Sequence, residues 1–250
     1  MRLHYRQKEN GIYILSKNDI EDIAESVLKD YSPRNLIEPV ALDTLDFLEN
    51  YLGLTIKVKY IGTFGSEILG LIVMNDEAEI PSLDDMFRPV IIEETYGTVL
   101  INPQLMNSKN CMRRRYTEIH EASHFLLHSE YYDKKSNMSA GRISEKSEYI
   151  ACRKIELNNA APRTDVEWLE WQADKLAAAL LMPKDTFKSL SRLIIKKNGI
   201  SSGYLFKGAY SNKRQAYQII SEVAGIFSVS YRAAQIRMIQ LGLIKEEFNF

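Results

Sequence analysis

Two histidines and a glutamate in the middle of the chain have the types and the spacing that metal-dependent hydrolysis requires. His120 and His124 lie four residues apart, and Glu121 follows the first of them. Residues four apart lie one above the other on an α-helix, so both imidazoles can meet one ion. Neutral imidazole suits zinc, at roughly 2.0–2.1 Å. The pattern predicts one zinc ion per chain, held in part by His120 and His124.

Glu121 is predicted to be the general base. The 3.6-residue repeat places it about 100° around the helix from His120, so its carboxylate can reach a zinc-bound water without being a ligand. Such a water has a pKa of about 7, and a carboxylate beside it can take its proton and pass it to the leaving amine. The alternative is a helix that carries these three side chains on an exposed face by chance. Placement argues against chance, because the histidines flank an apolar-to-small stripe of Met112, Tyr116, Ile119, Ser123 and Leu127.

Hydrophobic periodicity predicts the elements that must position these side chains. Helices are expected after the cap segment 16–19, over 42–52 with Gly53 as C-cap, and from near Met112. Strands are expected at 55–60, half-buried by its alternation, and at 68–74 and 98–101, with an acidic, proline-containing loop at 75–86 between them. Residues 133–162 are mostly polar, with one short strand-like piece at 149–155.

A second important helix is predicted after Thr164, which forms a capping box with Glu167. This helix is rich in alanine and stops before Pro183. The remainder is predicted to be helical, with Ser230 as an N-cap and Gly242 as a C-cap.

The sequence around both helices resembles the ImmA/IrrE family of metallo-endopeptidases. The resemblance is carried by residues 119–128 (IHEASHFLLH) and 170–183 (EWQADKLAAALLMP), and it extends from about Ser16 to Gly242. It implies a gluzincin-like site in which two histidines and a downstream glutamate bind zinc. It also implies that the substrates are helix-turn-helix repressors, whose cleavage derepresses genes. Ser123 stands where many members have glycine, and residues 132–161 form a longer spacer that could shape or cover the cleft.

Glu170 is therefore predicted to be the third ligand. Its rival His128 lies eight residues after His120, about 12 Å along the helix axis and too far to share one ion. A second rival, Glu167, already has a partner in the capping box. Asp174, one turn after Glu170, is expected to accept a hydrogen bond from the far ring nitrogen of His120 or His124 and so orient that ligand.

The predicted fold class is α+β. Residues 1–183 are expected to form a zincin-like domain with a small mixed sheet and an active-site helix. Residues 184–250 are expected to form a helical subdomain with the rhythm of a helix-turn-helix. There, only Arg232 and Arg237 supply positive charge, and the apolar residues Ile236, Met238 and Ile239 are expected in the core. A structural role is favoured over DNA binding.

Composition predicts a cytoplasmic protein without a membrane-spanning segment. The net charge is -1, which gives no overall attraction to nucleic acid or anionic lipid. The first residues lack the apolar segment of a secretory signal, and the longest apolar stretch, 176–182, is too short to span a bilayer. The chain has only 2 cysteines, too few for a disulfide framework.

Several features leave alternatives open. The run Arg113–Arg115 is expected to be a solvated helix face, although it could contact an acidic partner. Cys152 is expected to be an ordinary thiol, although a thiolate could close the zinc site. The residue that stabilises the oxyanion is open among Tyr149, Tyr204 and Tyr210. The alternative to a peptidase acting on a repressor is a regulatory module that binds a repressor or DNA and holds zinc only structurally.

Overall fold

The computed structural model describes residues 4–66, 68–139, 149–153, 164–206 and 213–245; it begins with helices, continues with five consecutive short strands and is mostly helical thereafter. The helices are α1 (Lys17–Tyr31), α2 (Arg34–Ile37), α3 (Thr44–Asp46), α4 (Cys111–Ser139), α5 (Asp165–Leu181), α6 (Lys184–Lys197), α7 (Lys213–Phe227) and α8 (Tyr231–Gln240). The strands are β1 (Thr55–Val58), β2 (Ile68–Val73), β3 (Ala78–Leu83), β4 (Pro89–Glu94), β5 (Thr98–Ile101), β6 (Tyr149–Arg153), β7 (Leu205–Phe206) and β8 (Ile244–Lys245). This mixture of helices and small sheets agrees with the predicted class. Among the described helices, none has the length and apolar character that crossing a membrane requires.

The largest sheet has four strands in the order β1-β5-β2-β6. β1 runs parallel to β5, whereas β2 runs antiparallel to both β5 and β6. The strands predicted at 68–74, 98–101 and 149–155 are confirmed as β2, β5 and β6. β1 forms where predicted, but its alternation does not produce a buried face: Val58 is 42% exposed. The physical reason is its position at the end of the sheet, where β5 is its only partner among the described strands.

The predicted loop at 75–86 is wrong. Residues 78–83 form β3, which pairs antiparallel with β4 as a two-stranded sheet. Ala78, Ile80 and Ser82 are buried while the residues between them are more exposed, which is the period-2 pattern of a strand with one covered face. The acidic residues and Pro81 concealed that pattern. Proline is tolerated here because a two-stranded sheet has unpaired edges.

The predicted helix starts are confirmed by their caps. The Ser16 hydroxyl accepts a hydrogen bond from the Asp19 N–H, and the Asp19 carboxylate accepts one from the Ser16 N–H. Ser230 caps α8 through the Ala233 N–H. The helix predicted at 42–52 is shorter and irregular, because α3 continues as a π-helical turn, Phe47–Tyr51, before Gly53 at φ +69°. α4 runs to Ser139, beyond the point where the apolar pattern ends.

The chain divides into two compact units, one of Met1–Ile20 and Asp43–Ala177 and the other of Glu21–Leu42 and Ala178–Phe250. The predicted division after residue 183 lies close to one of these boundaries, but residues 21–42 were not expected in the second unit. In the first unit, six buried apolar residues form a cluster around the sheet: Ile61, Leu71, Val73, Ala78, Ile80 and Leu100. In the second unit, the buried rings of Phe187 and Phe227 pack with centroids 5.2 Å apart.

Arg237 has an internal role in the second unit. It is only 3% exposed, and its guanidinium donates to both carboxylate oxygens of Glu21, at 2.5 and 2.8 Å, and to the Met182 carbonyl. Its charge is therefore not available on the surface of α8, which agrees with the structural role favoured for this segment. Met238 is buried as predicted, but Ile236 is only half-buried and Ile239 is 45% exposed, so the prediction of core positions was wrong for Ile239.

We expect Arg237→Ala to lower the free energy of unfolding by about 3 kcal/mol, because it leaves the partly buried Glu21 carboxylate and the Met182 carbonyl without their donor. Arg232→Ala on the same helix is the matched control. Arg232 is exposed, and its guanidinium donates a hydrogen bond to the side chain of Gln235. Arg232→Ala should therefore change the free energy of unfolding by no more than about 0.5 kcal/mol. Urea unfolding of both variants measures the difference, and equal midpoints would contradict this role for Arg237.

Candidate metal centre

Helix α4 brings three chemically important side chains into the interior of the first unit. His120, Glu121 and His124 are each 0% exposed. The four-residue spacing places the two imidazole rings one turn apart, with centroids separated by 4.7 Å. The expectation that these histidines avoid open solvent is confirmed.

The ring nitrogens of both histidines converge on a carboxylate from α5. Nε2 of His120 lies 3.0 Å from Nε2 of His124. Oε2 of Glu170 lies 3.3 Å from Nε2 of His120, and Oε1 of Glu170 lies 3.4 Å from Nε2 of His124. Bonds of roughly 2.0–2.1 Å in a tetrahedron place neighbouring ligand atoms about 3.3 Å apart. The buried group His120–His124–Glu170 therefore has donor types and spacings that can hold a metal ion.

Protonation favours the same conclusion. Burial lowers the pKa of His124, which keeps its ring neutral. Burial acts to raise the pKa of Glu170, but hydrogen bonds and charge from the rings of His120 and His124 outweigh it and hold that pKa well below its ordinary value, a role that a bound cation would take over when both Nε2 atoms carry lone pairs. Neutral imidazoles and an ionised carboxylate are the forms that bind metal. In addition, Oε2 of Glu170 is buried without a hydrogen-bond partner among the described residues, as suits an atom that binds an ion.

Asp174 contacts the far side of one of these rings. Its Oδ1 lies 3.1 Å from Nδ1 of His120, the nitrogen that points away from Glu170. The same oxygen accepts a hydrogen bond of 3.0 Å from the Tyr116 hydroxyl. An Nδ1–H that donates to a carboxylate leaves the lone pair on Nε2, where a metal ligand needs it. This is the contact expected of Asp174.

Glu121 occupies a different environment from the ligands. Neither of its carboxylate oxygens has a well-formed hydrogen bond among the described residues, although the backbone N–H of Ile72 lies close enough to act on its pKa. Burial raises its pKa to about 8, and the nearby His120 offsets part of that effect. A carboxyl group with a pKa near neutrality can both accept and release a proton. Such a group is suited to proton transfer, which is the role predicted for it.

Gly70 on β2 makes room for Glu121, and the sequence analysis missed it. A Cβ atom at this position would lie 2.7 Å from Oε1 and 3.2 Å from Cγ of Glu121, and it would overlap the Thr117 side chain. Only glycine lets the strand approach α4 this closely. A glycine inside an apolar strand segment was the available signal.

The two rival ligands have other partners. His128 turns Nδ1 toward Nδ1 of His124, at 2.9 Å, on the side of the ring away from Glu170. Glu167 accepts a hydrogen bond of 3.0 Å from the Thr164 N–H, and Thr164 in turn caps the Glu167 N–H. The capping box is thus confirmed. Gln172, which contacts His128, was missed although it lies between Glu170 and Asp174 in the sequence.

Some predicted features lie outside the residues that the structure describes. These are most of the spacer 132–161, the side chains of Cys152 and Tyr149, and Tyr210. Tyr204 belongs to the second unit, where the Lys245 ammonium lies 3.8 Å from the centre of its ring. Of the run Arg113–Arg115, only Arg113 is fully exposed, because Arg114 pairs with Glu118 and Arg115 is half-buried.

No protein-family model matches this chain, and no curated protein is significantly similar to it. The resemblance to the ImmA/IrrE family therefore stays a prediction. What stands independently of that resemblance is the convergence of the two histidines and Glu170 in the interior of the first unit.

Substitutions on α5 should distinguish the residue that binds zinc from residues that only lie near it. We expect Glu170→Ala to lose most bound zinc, because one of three converging ligands is removed. Glu167→Ala is the matched control, three residues earlier on the same helix, and should keep about one zinc per chain. Asp174→Asn should weaken zinc affinity by roughly 10–100-fold through its effect on His120. Metal analysis and chelator competition measure all three, and full occupancy in Glu170→Ala would contradict the assignment.

A second pair of variants should show how closely β2 approaches α4. Gly70→Ala is expected to lower the free energy of unfolding by about 1–3 kcal/mol, since the added methyl group displaces Thr117 and Glu121. Gly225→Ala in α7 adds the same methyl group where nothing lies within 4 Å, and it should raise stability by up to about 1 kcal/mol. Thermal unfolding compares them. Equal effects of the two substitutions would contradict the close approach.

Proposed function

We propose that this chain is a zinc-dependent endopeptidase. The observation that supports the proposal most directly is the combination, on one buried helix, of two converging histidines with a carboxyl group that has no partner among the described residues. Zinc, when bound, supplies Lewis acidity that polarises a peptide carbonyl and makes water more acidic. His120, His124 and Glu170 would hold this ion, one per chain.

Glu121 would move the proton. Its carboxylate takes a proton from the water that attacks the scissile carbonyl, and later delivers it to the leaving amine nitrogen. Burial raises the pKa of this group to about 8, and a zinc ion held beside it would lower that pKa again and favour the carboxylate that accepts the proton. Packing against Gly70 on one side limits the positions that the carboxylate can adopt. Asp174 would keep His120 oriented throughout.

We further propose a zincin-like arrangement and a repressor as the substrate. The mixed sheet with α4 packed against β2 agrees with the former. The latter follows from the resemblance of residues 119–128 and 170–183 to the ImmA/IrrE family, whose substrates are helix-turn-helix repressors. The low net charge and the 2 cysteines suit a reducing cytoplasm.

The alternative, a module that binds DNA with structural zinc, has less support. Arg237, one of only two cations on α8, is buried against Glu21 and cannot contact phosphate. A structural zinc site is usually closed by four protein ligands, whereas the described residues offer three. Such a site also has no need of a base like Glu121.

The decisive variant is Glu121→Gln. It should keep about one zinc per chain and lose peptide hydrolysis by at least the roughly 10²–10⁴-fold typical of general acid–base groups. Glu93→Gln on β4 is the control, because it removes an exposed carboxylate in the same unit and should cleave at the native rate. Cleavage is followed by mass spectrometry with small helix-turn-helix repressors from the same genome, and with casein as an unfolded substrate. Native-rate cleavage by Glu121→Gln would rule out its role, and a zinc-loaded native chain that cleaves no substrate would contradict the proposal.

A further inference from the structure

A chain of buried hydrogen bonds leads away from the candidate metal centre on the side of His124. Nδ1 of His124 lies 2.9 Å from Nδ1 of His128, and Nε2 of His128 lies 3.0 Å from Oε1 of Gln172. The amide nitrogen of Gln172 donates to the backbone carbonyl of Tyr13 at 2.7 Å. His124, His128 and Gln172 are each at most 1% exposed. Among the described residues no water-facing group terminates this series of hydrogen bonds, so its hydrogen atoms must be arranged internally.

The end of the chain at Tyr13 determines the direction of every hydrogen bond. A backbone carbonyl can only accept, so Gln172 must turn its NH₂ group toward Tyr13. That carbonyl also accepts from the Trp168 indole N–H, at 3.1 Å. Oε1 of Gln172 then faces His128 and can only accept. Nε2 of His128 must therefore carry the hydrogen atom of that bond.

The hydrogen bond to Gln172 also determines which nitrogen of His124 carries a hydrogen atom, through the ring of His128. His128 is fully buried, and its two partners are an imidazole and an amide, which favours a neutral ring. A neutral imidazole has one N–H, so a hydrogen atom on Nε2 leaves a lone pair on Nδ1. Nδ1 of His124 must then donate to it. The lone pair of His124 consequently lies on Nε2, the atom that faces His120 and Glu170.

We propose that His128 and Gln172 are positioning residues that fix a hydrogen atom on Nδ1 of His124, so that Nε2 is the ring nitrogen presented to the metal. This inference rests on the proposed function only in taking His124 as a zinc ligand. The Tyr13 carbonyl fixes the direction of all these hydrogen bonds, because a carbonyl oxygen can only accept. We call the hydrogen-bonded series Tyr13–Gln172–His128–His124 the relay. Asp174 does for His120 what the relay does for His124, so each histidine ligand has a partner on the ring nitrogen that faces away from the metal.

A purely structural role for these groups is the competing explanation. A buried His128 could simply satisfy its neighbours and hold α4 against α5. That explanation places no requirement on which nitrogen of His124 carries the hydrogen. The relay requires Nδ1–H on His124 and Nε2–H on His128, so the two explanations differ in a quantity that can be measured without metal or substrate.

The first measurement is the ring ¹⁵N spectrum of the zinc-free protein. The chain has only 4 histidines, so single substitutions can assign every ring. We expect His128 to be the Nε2–H tautomer and His124 to carry a hydrogen atom on Nδ1, whether or not its Nε2 also shares a proton with Glu170 in the absence of zinc. The opposite tautomer on either ring, or a mixture on His124, would overturn the proposal.

The second measurement compares two substitutions of similar shape at residue 128. His128→Leu removes the acceptor for His124, and zinc affinity should fall by roughly 10–100-fold. His128→Asn places an amide oxygen near the position of Nδ1, where it can accept from Nδ1–H of His124, so this variant should recover most of that loss. Chelator competition gives both affinities. Equal affinities in the two variants would leave only a structural role and so overturn the proposal.

Failure here can be distinguished from failure of the proposed function. Neither measurement uses peptide hydrolysis. A chain with the expected tautomers and affinities that hydrolyses no peptide would contradict the peptidase and support the relay. A chain that hydrolyses peptides with reversed tautomers would contradict the relay alone.

Discussion

Three electron-rich groups are held together in the interior of this protein, and most of the first unit can be understood from that constraint. Two imidazole lone pairs and a carboxylate within 3.0–3.4 Å repel one another unless a cation lies between them. Leaving such groups buried and uncompensated is costly. The arrangement persists because α4 presents both histidines from consecutive turns and α5 presents Glu170 against them. Partners on the far sides of the rings then prevent the histidines from turning their N–H groups inward.

The packing of the sheet is part of the same arrangement. β2 is buried along most of its length and lies so close to α4 that a glycine is required opposite Glu121. An ordinary strand residue there would push the carboxylate away and separate the strand from the helix. The position of the carboxyl group, and hence the burial that raises its pKa, therefore depends on a missing side chain in a neighbouring strand. Core packing and the chemistry of the site are inseparable at this contact.

The sequence predicted features that depend on residues close together in the chain. Histidines four apart, the cap segment at Ser16, the capping box at Thr164 and the cap at Ser230 follow from helix geometry alone, and the structure contains them. Features that depend on distant residues were missed. The backbone carbonyl of Tyr13, the glycine at position 70 and the pairing of Arg237 with Glu21 carry no local pattern that distinguishes them. The strand β3 was missed for a different reason, since composition was given more weight than alternation.

The environment of Glu121 favours a catalytic metal site over a structural one. A structural site gains stability from each ligand and gains nothing from an additional buried carboxyl group. Here Glu121 is as buried as the histidines, has no hydrogen-bond partner among the described residues, and is not one of the converging ligands. Burying an unpaired carboxyl group lowers stability, so a role outside stability is needed to account for it. Proton transfer beside a Lewis-acidic ion is such a role, and it uses the features that make this position unfavourable for folding: burial, no well-formed hydrogen bond among the described residues, and a raised pKa.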